Sequence, residues 1–80
     1  MSIRNIGGER FALLATFKAI YESGGISAAA DIQGLTQSAV SKHLQKLREW
    51  FQDELFVRTA RGMEPTEKST SLIERVEHIL

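Results

Sequence analysis

The chain has 80 residues, no cysteine, and ten basic residues that balance ten acidic ones to a net charge of zero. A chain of this length forms one small domain, and the lack of cysteine excludes disulfides and thiolate metal sites. No apolar run approaches the roughly 20 residues that cross a bilayer, and the start of the chain lacks the apolar centre of a signal peptide. We therefore expect a cytoplasmic protein with no membrane partner.

The charges are unevenly distributed along the chain. From residue 36 to residue 48 there are three basic residues and no carboxylate, and two arginines follow in a short loop-like stretch. These basic residues are Lys42, Lys46, Arg48, Arg58 and Arg61. A cluster of this kind is the electrostatic footprint of nucleic-acid binding, but it is as often simply a solvated surface. Where these residues lie on the predicted helices and strands distinguishes a nucleic-acid-binding surface from a solvated one.

The first predicted helix begins at Glu9. Residues 1–8 are predicted to be a flexible arm, because Gly7 and Gly8 interrupt the N-terminus. The helix is predicted to end at the Ser-Gly-Gly sequence of residues 23–25, where a glycine can adopt the left-handed cap conformation. Its apolar stripe at helical spacing consists of Leu13, Leu14, Phe17, Ile20 and Tyr21.

A tight corner is predicted between the second and third helices. Ser27 is a suitable N-cap for a short second helix, whose alanines allow another helix to approach closely, and Gly34 ends it. Thr36 is the predicted N-cap of the third helix. The connection Gly-Leu-Thr has the length and composition of a helix-turn-helix corner.

The third helix is predicted to be amphipathic. One narrow face is apolar at helical spacing and consists of Val40, Leu44, Leu47 and Phe51. The opposite face is polar and consists of Gln37, Ser38, Ser41, Lys42 and Gln45. The helix therefore has one face for the core and a second face that is free for another purpose.

A β-hairpin and a last helix are predicted after Asp53. The β-prone sequence LFVRT, the turn ARG and the returning MEP predict two short strands, with Pro65 at the edge. Thr66 can cap the last helix. We therefore predict a mainly α fold, a winged helix-turn-helix over residues 9–65, followed by a long C-terminal helix over residues 66–80. The apolar stripe of that helix consists of Leu72, Ile73, Val76, Ile79 and Leu80.

The polar face of the third helix suits contact with double-stranded DNA. The major groove of B-DNA admits one α-helix, and the N-terminal residues of that helix reach base edges. Gln37 can pair bidentately with adenine, Ser38 and Ser41 can donate or accept hydrogen bonds, and Lys42 can reach guanine or a phosphate. The helix N-terminus, capped by Thr36, also favours a nearby phosphate.

Residues farther along the chain are given less specific roles. We expect Lys46 and Arg48 to meet phosphates or solvent, whereas Arg58, Thr59 and Arg61 would form a wing beside the groove. An alternative is a winged-helix module for protein interaction or dimerisation that binds no DNA. The sequence contains no phosphate-binding glycine loop, cysteine nucleophile or metal-ligand cluster, so we expect no enzyme activity, no cofactor and no metal.

The segment ISAAADIQGLTQSAVSKHLQKLREWFQDELFVRTARGMEPTE closely resembles the winged helix-turn-helix domain of LysR-type transcriptional regulators. The resemblance begins near Leu14 and covers nearly all of the remaining chain. It implies a recognition helix at 37–48 that enters the major groove and a wing at 58–62 that contacts the backbone or the minor groove. The DNA-binding residues so implied, with the cap residue included, are Thr36, Gln37, Ser38, Ser41, Lys42, Arg58, Thr59 and Arg61.

The resemblance also implies partners for this domain. The last helix would be a linker helix that pairs with the same helix of a second subunit, so that a homodimer binds a two-fold-related operator. The apolar stripe gives an independent reason, since one small domain cannot easily cover all of it. A small-molecule inducer would bind a C-terminal domain that is absent from this chain, which we therefore expect to be a fragment.

Three residues depart from the pattern of this family. Ser38 stands where proline is frequent, and serine still suits the first turn of a helix. Gln33 stands where leucine is usual, so that the second helix is rotated or Gln33 is partly exposed. Gln52 stands where glycine often ends the third helix, and because a positive φ costs glutamine roughly 1 kcal/mol, we expect the helix to end differently. Trp50 is expected to pack, within the chain or against a partner.

Overall fold

The computed structural model describes residues 3–80, with side chains from residue 8 onward. The elements in chain order are α1 (Ile3–Ser23), α2 (Ile26–Gln33), α3 (Gln37–Phe51), β1 (Phe56–Thr59), β2 (Gly62–Pro65) and α4 (Glu67–Ile79). Three helices, an antiparallel hairpin and a final helix are the predicted architecture, which is confirmed. Over the described range, every helix is too short or too polar to span a bilayer.

The first helix begins earlier than predicted. α1 starts at Ile3, so the predicted helix start at Glu9 is wrong. The flexibility of the predicted arm stays a prediction. Two glycines lower helix propensity by about 1 kcal/mol each, but they do not exclude helical dihedral angles. Residues 1 and 2 of the predicted arm lie outside the described residues.

The core lies where α1, α2 and α3 meet the hairpin. The predicted apolar stripes of α1 and α3 are largely buried, and the first strand adds an aromatic side chain to them. The largest fully buried apolar side chains are Leu13, Phe17, Ile20, Val40, Leu47, Leu55 and Phe56. The rings of Phe17 and Phe56 lie with their centroids 5.4 Å apart, so β1 packs directly on α1.

The corner between α2 and α3 is formed by local chemistry. Gly34 ends α2 with φ +66°, and Thr36 accepts a hydrogen bond from the N–H of Ala39 at 3.0 Å. Both predicted helix boundaries are confirmed. The prediction of Ser27 as N-cap is wrong, because α2 begins at Ile26 and Gly25, two residues earlier, occupies the cap position without a side-chain bond.

α3 ends in the strained conformation that its sequence disfavours. Gln52 has φ +51°, so the expectation that the helix ends differently is wrong. The side-chain amide of Gln52 donates to the carbonyl oxygen of Glu49 at 2.7 Å, and its backbone N–H donates to Arg48. These two hydrogen bonds offset part of the cost of about 1 kcal/mol for a positive φ.

The loop between α3 and β1 is tied to the start of α4. Leu55 is buried with φ +65°, and its N–H donates to Asp53 Oδ2 at 2.8 Å. Asp53 Oδ2 also accepts from the Thr66 hydroxyl at 2.7 Å, and the buried Ser69 hydroxyl donates to the Leu55 carbonyl at 2.6 Å. The hydrogen bonds from Thr66 and then from the Leu55 N–H lower the pKa of Asp53.

The returning strand of the hairpin is fixed to the corner after α1. The N–H of Met63 donates to the carbonyl oxygen of Gly24 at 2.9 Å. A Cβ at Gly62 would lie 2.5 Å from that same oxygen, and Gly62 has φ +115°. Only glycine suits this position, because any side chain would both strain the backbone and collide with the corner.

Candidate nucleic-acid interface

Four side chains at the leading end of α3 form an exposed row, which we call the polar row. Its members are Gln37, Ser38, Ser41 and Lys42. The cap residue Thr36 is also exposed. The opposite face of the same turns is buried in the core through Val40 and Leu44, so the row projects away from the domain as the helical spacing predicts. Within the described residues, the ammonium group of Lys42 has no ion-pair partner.

Gln37 makes one contact that the sequence did not suggest. Its Nε2 donates to the hydroxyl of Ser27 on α2 at 3.3 Å, with both side chains exposed. The corner therefore places the first turn of α2 beside the first turn of α3, and Ser27 orients the amide of Gln37. Because the bond is long and exposed, a stronger partner can replace it.

We call the hairpin of β1 and β2, with the turn between them, the wing. An open groove separates α3 from the wing. The groove has a volume of about 420 Å³, and Ser41 and Arg58 both lie along it. Arg58, Thr59 and Arg61 are all exposed. The hydroxyl of Thr59 accepts from the N–H of Arg61 at 3.1 Å and so orders the turn itself. The structure thus places Ser41 of the polar row and Arg58 of the wing along one groove.

Two basic residues in the trailing half of α3 have partners inside the chain. Lys46 Nζ lies 2.7 Å from Glu9 Oε1. That hydrogen bond lowers the pKa of Glu9 and raises the pKa of Lys46. Arg48 donates from Nε to the carbonyl of Glu54 at 2.7 Å and from Nη2 to the carbonyl of Phe56 at 2.9 Å. The expectation that these two residues meet phosphates or solvent is wrong for Arg48, which bonds to backbone carbonyls, whereas Lys46 is exposed to solvent as expected and pairs with Glu9 there.

A hydrogen-bonded chain joins all three helices behind the polar row. The buried hydroxyl of Thr16 on α1 donates to Gln33 Oε1 at 2.9 Å and lies 2.7 Å from His43 Nδ1. Gln33 is half-buried, so its predicted partial exposure is confirmed. His43 acts as a structural hydrogen-bonding group here, and no cluster of potential metal ligands occurs among the residues that the structure describes.

Comparison with known proteins settles the family. Residues 11–69, which include the corner, the polar row and the wing, match the family described as bacterial regulatory helix-turn-helix protein, lysR family. The chain belongs to the LysR family. It therefore carries the DNA-binding helix-turn-helix domain of a transcription regulator, and a domain of this kind is not an enzyme.

Individual HTH-type transcription activators share sequence with most of the chain. The transcriptional activator NahR of Pseudomonas putida is 47% identical over 64 residues, which are 80% of this chain and 21% of that protein. The transcriptional activator NagR of a Ralstonia species is 43% identical over 68 residues, which are 85% of this chain and 23% of that protein. The chain thus spans less than a quarter of the length of these relatives.

A solved LysR-family structure shares the fold. The complex of the CbnR DNA-binding domain with DNA matches with a TM-score of 0.80 and 29% sequence identity, and it covers 86% of this chain and 79% of that one. In that complex the related domain is bound to DNA. The order of helices and wing described above is therefore that of a LysR-family DNA-binding domain.

In this LysR-family chain the apolar stripe of α4 is only partly free. Val76 is 4% exposed and packs in the core of the domain, so its predicted exposure to a partner is wrong. Leu72 and Ile73 pack partly against the same core. Ile79 and Leu80 remain 57% and 37% exposed. The physical reason is that α4 lies against α1, which covers one side of the stripe.

Apolar side chains are also exposed outside α4. Phe11 on α1 and Ile32 on α2 are exposed, and a shallow depression of about 320 Å³ lies between them and Leu80. Trp50 is half-exposed near the end of α3, so its expected packing within the chain is incomplete.

Proposed function

We propose that this LysR-family domain binds double-stranded DNA sequence-specifically, with the leading end of helix 37–48 in the major groove. The observation that carries the proposal is the polar row, which is exposed as a unit while the trailing cations of the same helix are engaged inside the chain. A major groove about 12 Å wide accommodates one helix with side chains of this length.

Base reading is assigned to the first turns of α3. The amide of Gln37 exchanges its bond to Ser27 for a bidentate pair with adenine, which offers one acceptor and one donor in the major groove. Ser41 and Ser38 are short enough for the helix backbone to approach the bases. Lys42 contacts a guanine edge or a phosphate, and Thr36 lies where the first free N–H groups of α3 meet a phosphate.

The wing, residues 58–62, is assigned to the DNA backbone or the minor groove. Arg58 and Arg61 supply positive charge there, and Thr59 adds a hydroxyl at the turn. Contacts of this kind supply affinity rather than sequence information. Because each neutralised phosphate releases counterions, binding should weaken steeply as the salt concentration rises.

A homodimer on a two-fold-related operator is proposed as the working form. The supporting feature is the exposed apolar surface on α4 and beside it, which includes Ile79, Leu80 and Phe11, with Leu72 and Ile73 half-buried next to them. Pairing of such surfaces about a two-fold axis would bury them. Control of transcription in the bacterial cytoplasm, by an inducer bound to a domain outside this chain, belongs to the same proposal.

Selection of bound duplexes from a random pool, followed by sequencing, tests the proposal. The expected result is an enriched motif in two inverted halves. Gel-shift titrations then compare variants on that duplex and on single-base changes of it. We expect Gln37→Ala to relax the preference at one base pair, by about 1–3 kcal/mol of discrimination.

Arg58→Ala is the control for that variant, because it should weaken binding to all duplexes alike. If Gln37→Ala instead weakened binding equally for every sequence, its base-reading role would be lost. If no duplex bound even at low salt, the chain would be better described as a protein-interaction or dimerisation module.

A further inference from the structure

Arg48 makes the hydrogen bonds that join α3 to β1 among the described residues. Its Nε and Nη2 atoms donate to two backbone carbonyls, those of Glu54 and Phe56, at 2.7 and 2.9 Å. The carboxylate of Glu54 lies 3.6 Å from Nε. A planar guanidinium holds two acceptors at a fixed separation, which a lysine ammonium group cannot do with the same geometry.

The loop that Arg48 bonds to contains backbone conformations that need support from their surroundings. Gln52 and Leu55 are non-glycine residues with φ values of +51° and +65°. Such residues persist only where their surroundings enforce the conformation. On the side of α4 this is done by Asp53 and Ser69, as described above. On the side of α3 it is done by Arg48, whose carbonyl also accepts from the N–H groups of residues 52 and 53.

The two strands of the wing are thus fixed by different anchors. β2 is held by the bond from Met63 to the Gly24 carbonyl, whereas β1 is held to α3 by Arg48. Arg48 lies along the same groove as Ser41 and Arg58. Because Arg48 spans from α3 to β1 along this groove, its hydrogen bonds constrain how far apart the two elements lie there.

We infer that Arg48 is a positioning residue for DNA binding: by holding β1 at a set distance from α3, it places Arg58 against the DNA while the polar row occupies the major groove. The inference rests on the proposed function for the role of Arg58. It assigns to a basic residue of the recognition helix a task inside the protein instead of a contact with phosphate.

A double-mutant cycle on the duplex recovered by selection tests this role. We expect Arg48→Met to weaken binding about tenfold when Arg58 is present, and no more than about twofold in the Arg58→Ala background, because coupled residues are not additive. When Lys42→Ala takes the place of Arg58→Ala in the cycle, the losses of affinity from the two variants should add. Arg48→Lys keeps the positive charge but not the paired hydrogen bonds of the guanidinium group. Its loss of affinity should therefore match that of Arg48→Met.

The matched control is Lys46→Met, which removes the same charge from the same helix but from a residue bound to Glu9. It should change affinity no more than about twofold. Additive losses from Arg48→Met and Arg58→Ala, with a reduced salt dependence for each, would show a direct phosphate contact and overturn the inference. Additive losses with an unchanged salt dependence would show general destabilisation and overturn it as well.

A measurement without DNA separates this inference from the proposed function. The chain has no cysteine, so spin labels can be placed specifically at Gln45→Cys on α3 and Ala60→Cys on the wing turn, both exposed. We expect Arg48→Met to lengthen and broaden the distance distribution between the labels, and Lys46→Met to leave it unchanged. An unchanged distribution in Arg48→Met would overturn the inference even if the domain binds DNA as proposed.

Discussion

The leading and trailing halves of α3 both carry basic side chains, but these lie in different environments. Both are basic on the side away from the core. In the leading half, Lys42 stands beside short polar side chains and has no ion-pair partner among the described residues. In the trailing half, Lys46 is bound to Glu9 and Arg48 to the backbone of the wing loop.

This difference shows that charge on a helix face does not by itself identify a DNA contact. A cation within reach of a carboxylate or two carbonyls inside the protein is already engaged, and DNA must compete for it. A cation beside Ser38 and Ser41 faces no such competition. The polar row is therefore distinguished by a lysine that has no ion-pair partner among the described residues.

The largest effect is expected where Thr16 joins α1 to α2 and α3. Thr16→Val keeps the shape of the side chain but removes the hydroxyl that bonds Gln33 and His43. We expect a loss of about 1–3 kcal/mol in the free energy of unfolding, since buried partners are left unsatisfied. Urea denaturation measures this, with the exposed Thr70→Val as control. Equal stability of the two variants would contradict the network.

The next largest effect tests the two halves against each other. We expect Lys42→Ala to weaken DNA binding about fivefold at moderate salt and to lower the slope of log K against log[salt] by about 0.9, the value for one phosphate contact. Lys46→Ala should leave both quantities nearly unchanged. Fluorescence anisotropy titrations at several salt concentrations give both numbers. Equal losses in the two variants would remove the distinction between the halves.

A smaller effect is expected at the end of the trailing half. Gln52→Gly relieves the positive φ at the end of α3 but loses the hydrogen bond to Glu49. We expect a net gain of about 0.5–1 kcal/mol in stability, with DNA affinity unchanged. Thermal denaturation and a gel shift measure the two properties. A change in affinity would mean that this end of the helix takes part in binding.

The smallest effect is expected for the exposed pair of Glu9 and Lys46. Glu9→Gln frees Lys46, so the salt dependence of DNA binding should rise slightly, by less than one phosphate contact. Glu22→Gln, at the other end of α1, removes the same charge as a control.

Since the pKa of Glu9 is lowered from 4.5, stabilisation by the pair of Glu9 and Lys46 is present above pH 4.5 and is lost as the pH falls through the lower folded value. Stability of the Glu9→Gln variant should lack this acid dependence.

Local chemistry made much of the fold predictable from the sequence. The caps Thr36 and Thr66, the end of α2 at Gly34 and the amphipathic spacing of α3 depend on neighbours within a few residues, and all four are confirmed. The exposure of the polar row follows from the same spacing. These features required no knowledge of how the helices pack.

The features that were missed depend on residues far apart in the chain. Glu9 on α1 pairs with Lys46 on α3, and Thr16 on α1 bonds to both Gln33 on α2 and His43 on α3. Arg48 bonds to backbone carbonyls, which leave no trace in the sequence. The predicted partner surface on α4 was too large for the same reason, because burial of its stripe depends on where α1 lies.

The attachment of α4 has a consequence for how this domain can be moved. Its first turn is bonded to the loop before the wing through Ser69 and Thr66, so α4 cannot swing independently of the domain. In the proposed dimer, a small rotation of one α4 against the other would therefore rotate each domain with its own α4. The separation of the two recognition helices, and with it the bend imposed on the operator, would then be set by the crossing angle of the α4 pair.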